Sequence, residues 1–315
     1  MTIAMGVKLE AARTAFLTLG SEAFSGDKQT VSTLFSRKVP CPGTFLEIDS
    51  LGVVPAVSEI TGSRQYSGLR AYVNRARVKR YGPAALLMPV LDIMQKTPEA
   101  IGQALAEYMG IAANFDEKPI QDFLITNPVG IDGVALVHDS HPFAFSGTWD
   151  NKTTNALTPD EFKIGIAAMQ GLLLENGVPA GYSPRVLMVG PPNRKLGMDL
   201  CGNAMRVVPV NASGAEAYAS AIAATAIPNT WMAGEIQCVV NPWWIGAYAT
   251  NWLLIDNSRP ANAAVIVGEA IPAAAYAITD PSAASMIEMS KATFYAEAQF
   301  ALLGGNPMGL YGLLA

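Results

Sequence analysis

The sequence predicts an α+β fold, in one large domain or two intimately connected ones. Helices with clear start signals open at Thr97 and Thr158, and apolar strand-like runs lie before, between and after them. No internal repeat, low-complexity tail or flexible linker is present, so any second lobe has to be inserted within the first.

Taken in order, residues 8–24 read as a short helix, because Leu9, Ala12, Phe16 and Leu19 recur at helical spacing. A polar stretch from Ser25 to Thr33 follows, and then a break at 38–43 with two prolines and a glycine. This opening has too few apolar residues for a core of its own. Residues 44–97 read as β-rich, with strand-like runs at 44–48, 72–80 and 84–94. In the middle run Val73, Ala76 and Val78 sit among Asn74, Arg75, Arg77 and Lys79 without strict alternation. Between Ile60 and Leu91 stand Arg64, Arg70, Arg75, Arg77, Lys79 and Arg80, with no acidic residue. A hairpin of one charge sign cannot pair its charges internally. It is expected to extend into solvent or to lie on an acidic neighbour, the plain alternative being a solvated face.

Thr97 as N-cap and Pro98 at the first helical position open a helix with an apolar stripe of Ile101, Leu105, Tyr108, Ala112 and Phe115. Pro119 is expected to break or kink it before a shorter turn to Leu124. Thr158, Pro159 and Glu161 form a capping box. The stripe behind it is Phe162, Ile166, Met169 and Leu173, and Asn176-Gly177 is the expected stop. Residues 185–192 read as a buried strand of the parallel type. Ser213 to Glu216 is a second capping box before an alanine-rich helix ending near Pro228. Strands are expected at 235–244, 251–256 and 263–270. The segment 292–315 reads as a strand, a glycine-rich turn and an apolar end.

Composition narrows the function. Half of the 315 residues are hydrophobic and 15% are charged, so the chain is expected either to have little exposed surface or to hide much of it against partners. A net charge of −5 argues against a reader of nucleic acid and suits a wall that encloses nucleic acid without sticking to it. Cys41, Cys201 and Cys238 are odd in number and lack CxxC spacing. They fit a reducing compartment and give neither a zinc ribbon nor a disulfide framework. The N-terminus lacks the apolar run of a signal peptide. The stretch Ala263 to Ile278 is broken by Glu269 and Pro272, too interrupted for a membrane span.

Few residues suggest chemistry. His138 and His141, the two histidines of the chain, lie near Asp132, which admits a metal site of two imidazoles and a carboxylate. Gly133 before them and Pro142 after them favour a structural turn instead. Gly190 to Gly197 follows a strand as a phosphate loop does. It lacks the Gly-Lys-Ser/Thr ending, and Pro191 and Pro192 remove N–H donors, so it reads as a rigid turn. No GxSxG or GxGxxG occurs. Trp231, Trp243, Trp244 and Trp252 read as packing. No catalytic residue and no cofactor is expected, and the chain is read as a non-enzyme.

The second half of the chain resembles the major head subunits of Mu-like phages and prophages, of the Hong Kong 97-type capsid fold. Asp132, Gly133, His141 and Pro142 fall on the family's Asp-Gly, hydrophobic run, His-Pro segment. The helix opened by Thr158 and the run from Gly181 to Pro192 are similar to its helix, Arg-Pro turn and strand ending in Pro-Pro. Pro228-Asn229, Glu235 to Pro242, Trp252 to Asp256 and the closing Phe294 to Ala315 continue the likeness. It covers residues 97–315 well and residues 1–96 by order of elements.

The resemblance implies an N-terminal arm at 1–43, an extended β-hairpin loop at 44–81, a peripheral domain with a spine helix at 82–131 and 271–315, and an axial domain at 132–270. The C-terminal strand is expected to return to the peripheral domain. The implied function is a major capsid protein that assembles with itself into hexamers and pentamers of an icosahedral shell around double-stranded DNA. The six basic residues of the loop would be inter-subunit contacts. Scaffolding, portal and decoration proteins would be partners. The virion, built in the bacterial cytoplasm, would be its place, with no membrane. An encapsulin-like compartment of the same fold is the alternative, and a metal-dependent hydrolase using His138 and His141 a distant one.

Overall fold

In the computed structural model the described residues are 2–24, 30–51, 71–143, 147–174, 177–202, 205–210, 223–228, 235–280, 283 and 289–314. The chain opens with α1 (Thr2–Phe24), β1 (Ser36–Pro40), β2 (Phe45–Leu51), β3 (Ala71–Arg77), β4 (Lys79–Tyr81) and β5 (Leu86–Pro89). Three helices follow, α2 (Val90–Gln95), α3 (Pro98–Ala112) and α4 (Glu117–Ile125), and then the short pair β6 (His141–Pro142) and β7 (Thr148–Trp149). Next come α5 (Pro159–Gly171), β8 (Val186–Val189), α6 (Arg194–Cys201), β9 (Met205–Val210) and β10 (Ala223–Pro228). The chain closes with β11 (Gln237–Val240), β12 (Trp252–Ile255), β13 (Val265–Ile278), β14 (Lys291–Gly304) and β15 (Leu310–Leu313).

Two sheets organise these elements. The longer is built on the antiparallel pair β13 and β14, with β1 parallel on one side and β4 and β5 on the other. On β14, Ala292, Phe294, Ala296, Ala298 and Phe300 alternate inward and are buried. Phe294 meets Phe16 of α1 edge-on, and α1 and α3 pack there through Leu9, Ala12, Ile101, Leu105 and Met109. The N-terminal helix therefore shares the core of α3, which explains how a segment without its own core is ordered. The second sheet has the order β11–β8–β12–β15. Val186, Met188, Leu253 and Ile255 face α4 on one side. Leu187, Val189, Trp252 and Leu254 face α5 and α6 on the other. A sheet buried on both faces reads in sequence as a continuous apolar run, as 185–192 does.

Both start signals hold. The Thr97 side chain accepts from the Ala100 N–H and that of Thr158 from the Glu161 N–H. Several expectations need correction. Val90–Gln95 is helical, so the run at 84–94 ends as a strand at Pro89. The first long helix stops at Ala112, and Pro119 sits in the first turn of α4, where a missing N–H costs nothing. Helix α5 ends at Gly171, and Leu173 is half-exposed in a bridge to Pro179, with Gly177 at φ +72° in the turn. Residues 223–228 form a strand against β9 where a helix was expected, while Ser213 to Glu216 lies outside the described residues. The segment 292–315 holds the expected strand, β14, and after the turn a further short strand, β15, which pairs with β12 in the second sheet. The expected boundary at 270 lies within β13, where its pairing with β14 shifts register between Glu269 and Ile271.

Candidate assembly surface and its internal bracing

The basic hairpin is the first candidate. β2 and β3 pair antiparallel from Phe45↔Arg77 to Leu51↔Ala71. Leu46, Ile48 and Ala76 turn inward onto Cys41, Ala301 and Leu303. Leu46 packs over Gly268, where a Cβ would stand 2.9 Å from it. Asn74 donates to the Gly130 carbonyl at 3.1 Å. The base of the hairpin is thus seated on the chain's own core, contrary to the expectation of a loop free of it. Phe45, Glu47, Val73, Arg75 and Arg77 share the outer face and are exposed. Alternation is strict after all. It is masked in the sequence because Val73 faces outward and Asn74 inward.

The expectation that these charges lack local partners is corrected as well. Glu47 lies directly across the ladder from Arg75, with Nε to Oε1 at 3.0 Å, and the Arg75 guanidinium rests 3.8 Å from the Phe45 ring centroid. Arg80 pairs with Glu297 of β14. The partners were overlooked because they stand on the return strand and on a strand more than two hundred positions away. Arg77 and Lys79 are exposed and form no salt bridge among the described residues. Arg64 and Arg70 lie outside the described residues.

The histidine turn is the second candidate. His141 is fully buried and its ring stacks on Trp149 with centroids 4.4 Å apart. Its Nδ1 lies 2.6 Å from Asp132 Oδ2 and its Nε2 lies 3.0 Å from Asn151 Oδ1. The Asn151 amide has a fixed sense. Its Nδ2 donates to the carbonyls of Leu136 and Pro307, at 2.8 and 3.0 Å, and its Oδ1 accepts the His138 N–H at 2.8 Å. Gly133, at φ +84°, makes the turn that aims Asp132 at His141, and Asp132 Oδ1 accepts the Val134 N–H there. His138 is partly exposed and its Nδ1 accepts the Ser140 N–H. Both nitrogens of His141 are engaged by protein groups, so this is a brace between the 131–151 segment and the turn before β15. Among the described residues no group of three His, Cys, Asp or Glu side chains is placed to hold a metal ion.

A second buried brace went unread in the sequence. Glu117 accepts from the Ser32 N–H at 2.9 Å and from the Ser32 hydroxyl. Gln121 donates to Glu117, and Asn241 donates to Gln121, each at 2.8 Å. The chain ties the segment before β1 to α4 and to the loop after β11. Spacing could signal only the Glu117–Gln121 step, four apart on one helix face. The Gly190 turn is filled by protein: a Cβ there would stand 2.6 Å from the Ala249 carbonyl oxygen and 3.0 Å from that of Trp244. Carbonyl oxygens repel phosphate. Trp244 and Trp252 are fully buried, and Trp252 Nε1 donates to the Asn155 carbonyl. Trp231 lies outside the described residues.

The long antiparallel pair with its helices and the doubly covered four-stranded sheet define a class of fold, the α+β Hong Kong 97-type. No protein-family model matches the sequence, and no curated protein matches it. Among solved structures, the capsid of a native GTA particle aligns at a TM-score of 0.52 and 12% identity, covering 91% of this chain and 91% of that one. The capsid structure of the cyanophage P-SCSP1u aligns at 0.50 and 11% identity, covering 92% and 91%. The chain spans 65% of the length of a bacteriophage JBD30 capsid chain, with 91% of this chain aligned, 11% identity and a TM-score of 0.49.

Proposed function

We propose that this chain is the major capsid subunit of a tailed bacteriophage. It assembles with itself into hexamers and pentamers that close an icosahedral shell around double-stranded DNA. The observation that carries this reading is end-to-end likeness: nine-tenths of both chains align with the GTA particle capsid subunit. The acidic balance, net −5, suits an inner wall facing packaged DNA.

In this reading residues 1–43 are the arm, 44–81 the extended loop, 82–131 with 271–315 the peripheral domain and 132–270 the axial domain. Arg64, Arg70, Arg75, Arg77, Lys79 and Arg80 meet an acidic surface on the adjacent subunit. Arg77 and Lys79 are the leading pair, because Arg75 and Arg80 already have partners within the subunit. Contacts of this kind set register more than affinity. The subunit is a structural component of the virion, assembled in the host cytoplasm, with scaffolding, portal and decoration proteins as partners. The likeness to Mu-like head subunits rests on the sequence segments from Asp132 onward.

Sedimentation and negative-stain microscopy of the purified protein test the reading. Large closed particles are expected. Only monomer, across salt and concentration and with scaffold supplied, would overturn it.

A further inference from the structure

The three cysteines include a pair that their sequence spacing hides. Cys201 is the last residue of α6 and Cys238 stands on β11, and α6 lies against β11. Both side chains belong to the same packed cluster between the helix and the strand. Gly197 makes this seating possible: a Cβ there would stand 2.7 Å from Cys238 Sγ. Their place in the chain matters more than their proximity. Between Cys201 and Cys238 the sequence includes the antiparallel ribbon β9–β10, and β11 begins at Gln237. The two cysteines therefore flank this ribbon in the chain.

We propose that Cys201 and Cys238 are a site of reversible oxidative modification, closing to an intrachain disulfide that ties the end of α6 to β11.

The chemistry has a direction. Cys238 is partly exposed while Cys201 is buried, so a small oxidant meets Cys238 first. Its pairing with the Cys201 thiol, and then the nearby Arg194 guanidinium, hold the Cys238 thiol below its ordinary range. The same pairing and burial push Cys201 up. With a low-molecular-weight disulfide as oxidant, the Cys238 thiolate attacks one sulfur and a Cys238–S–S–R bond forms. The small disulfide breaks, and the departing thiolate takes up the proton that Cys238 gave up. Cys201 then loses its proton, and its sulfur attacks Cys238 Sγ, expelling the second small thiol with that proton. The two protein thiols lose two electrons and two protons, and the small disulfide gains them. Cys41 stands apart, in the cluster under the basic hairpin, with its thiol donating to the Phe45 carbonyl at 3.3 Å.

The test uses the full-length protein and oxidised glutathione at neutral pH, read by intact mass and peptide mapping. The mass is expected to fall by two hydrogens, with the peptides carrying Cys201 and Cys238 linked and one of the three thiols still titratable. The melting temperature should rise and return on reduction. Cys201→Ser should stop at a stable glutathione adduct on Cys238, and Cys238→Ser should leave Cys201 unreacted. A lasting adduct on wild-type Cys238, a bridge to Cys41, or three unreacted thiols would each overturn the proposal. The wild-type measurements decide the matter even if either variant folds poorly.

Discussion

Asn151 makes four hydrogen bonds from a buried side chain: two to carbonyls, one from a backbone N–H and one from His141. Asn151→Ala leaves all four partners inside the protein without replacements. A buried unsatisfied group costs about 1–3 kcal/mol and such costs do not simply add, so a loss of about 3 kcal/mol or more is expected. The midpoint of urea unfolding measures it. His141→Ala should lose a similar amount, since it strands Asp132 and uncovers Trp149, whereas His138→Ala should cost under about 1 kcal/mol. Metal content should be unchanged in both, and near-stoichiometric zinc lost with either histidine would refute the brace. Sequence reading reached this site only in part. Asp132, Gly133, His141 and Pro142 fell on a recognisable segment, but Asn151 did not. Its bonds reach Leu136 and Pro307, 15 and 156 positions away, and no local pattern encodes partners at such separations.

Elements whose cause is local were the legible ones. Thr97 and Thr158 each satisfy an N–H three residues on, within one turn, so their helices start where a cap, a proline and an apolar stripe agree. Thr158→Ala should cost about 1 kcal/mol, read from the shift in thermal unfolding. Elements decided by distant pairing were misread. Residues 223–228 carry alanines that favour a helix, yet they form a strand because β9 offers a ladder from Met205 to Val210. The glycines supply a sharper contrast. A Cβ at Gly305 would lie 2.0 Å from the Ala263 carbonyl oxygen, which is backbone and cannot swing aside. A Cβ at Gly110, on the exposed face of α3, meets nothing within 4 Å. Gly305→Ala is therefore expected to destabilise by at least about 3 kcal/mol, or to abolish soluble expression. Gly110→Ala should gain roughly 0.5–1 kcal/mol. Equal effects from the two would mean that the turn before β15 is looser than drawn.

At the scale of the whole molecule, assembly and folding should separate. Arg77→Glu with Lys79→Glu changes two exposed side chains that hold no ion pair among the described residues. Circular dichroism should match wild type while electron microscopy shows few or misshapen shells, because like charges now meet across the contact. Normal shells would remove the electrostatic role proposed for the hairpin. The proposed boundary at 270 lies within β13. That strand has a further consequence. β13 and β14, fourteen residues each, span roughly 45 Å at about 3.3 Å per residue, from the cluster around Phe16 to the one around Ile255. The second sheet is joined to the same end through Val265 and Phe300 beneath Leu253 and Leu310. The shared strands are then expected to couple the two clusters on heating, across the register shifts between Glu269 and Ala274. Calorimetry of the unassembled subunit should trace a single endotherm, with the lobes surrendering their order together.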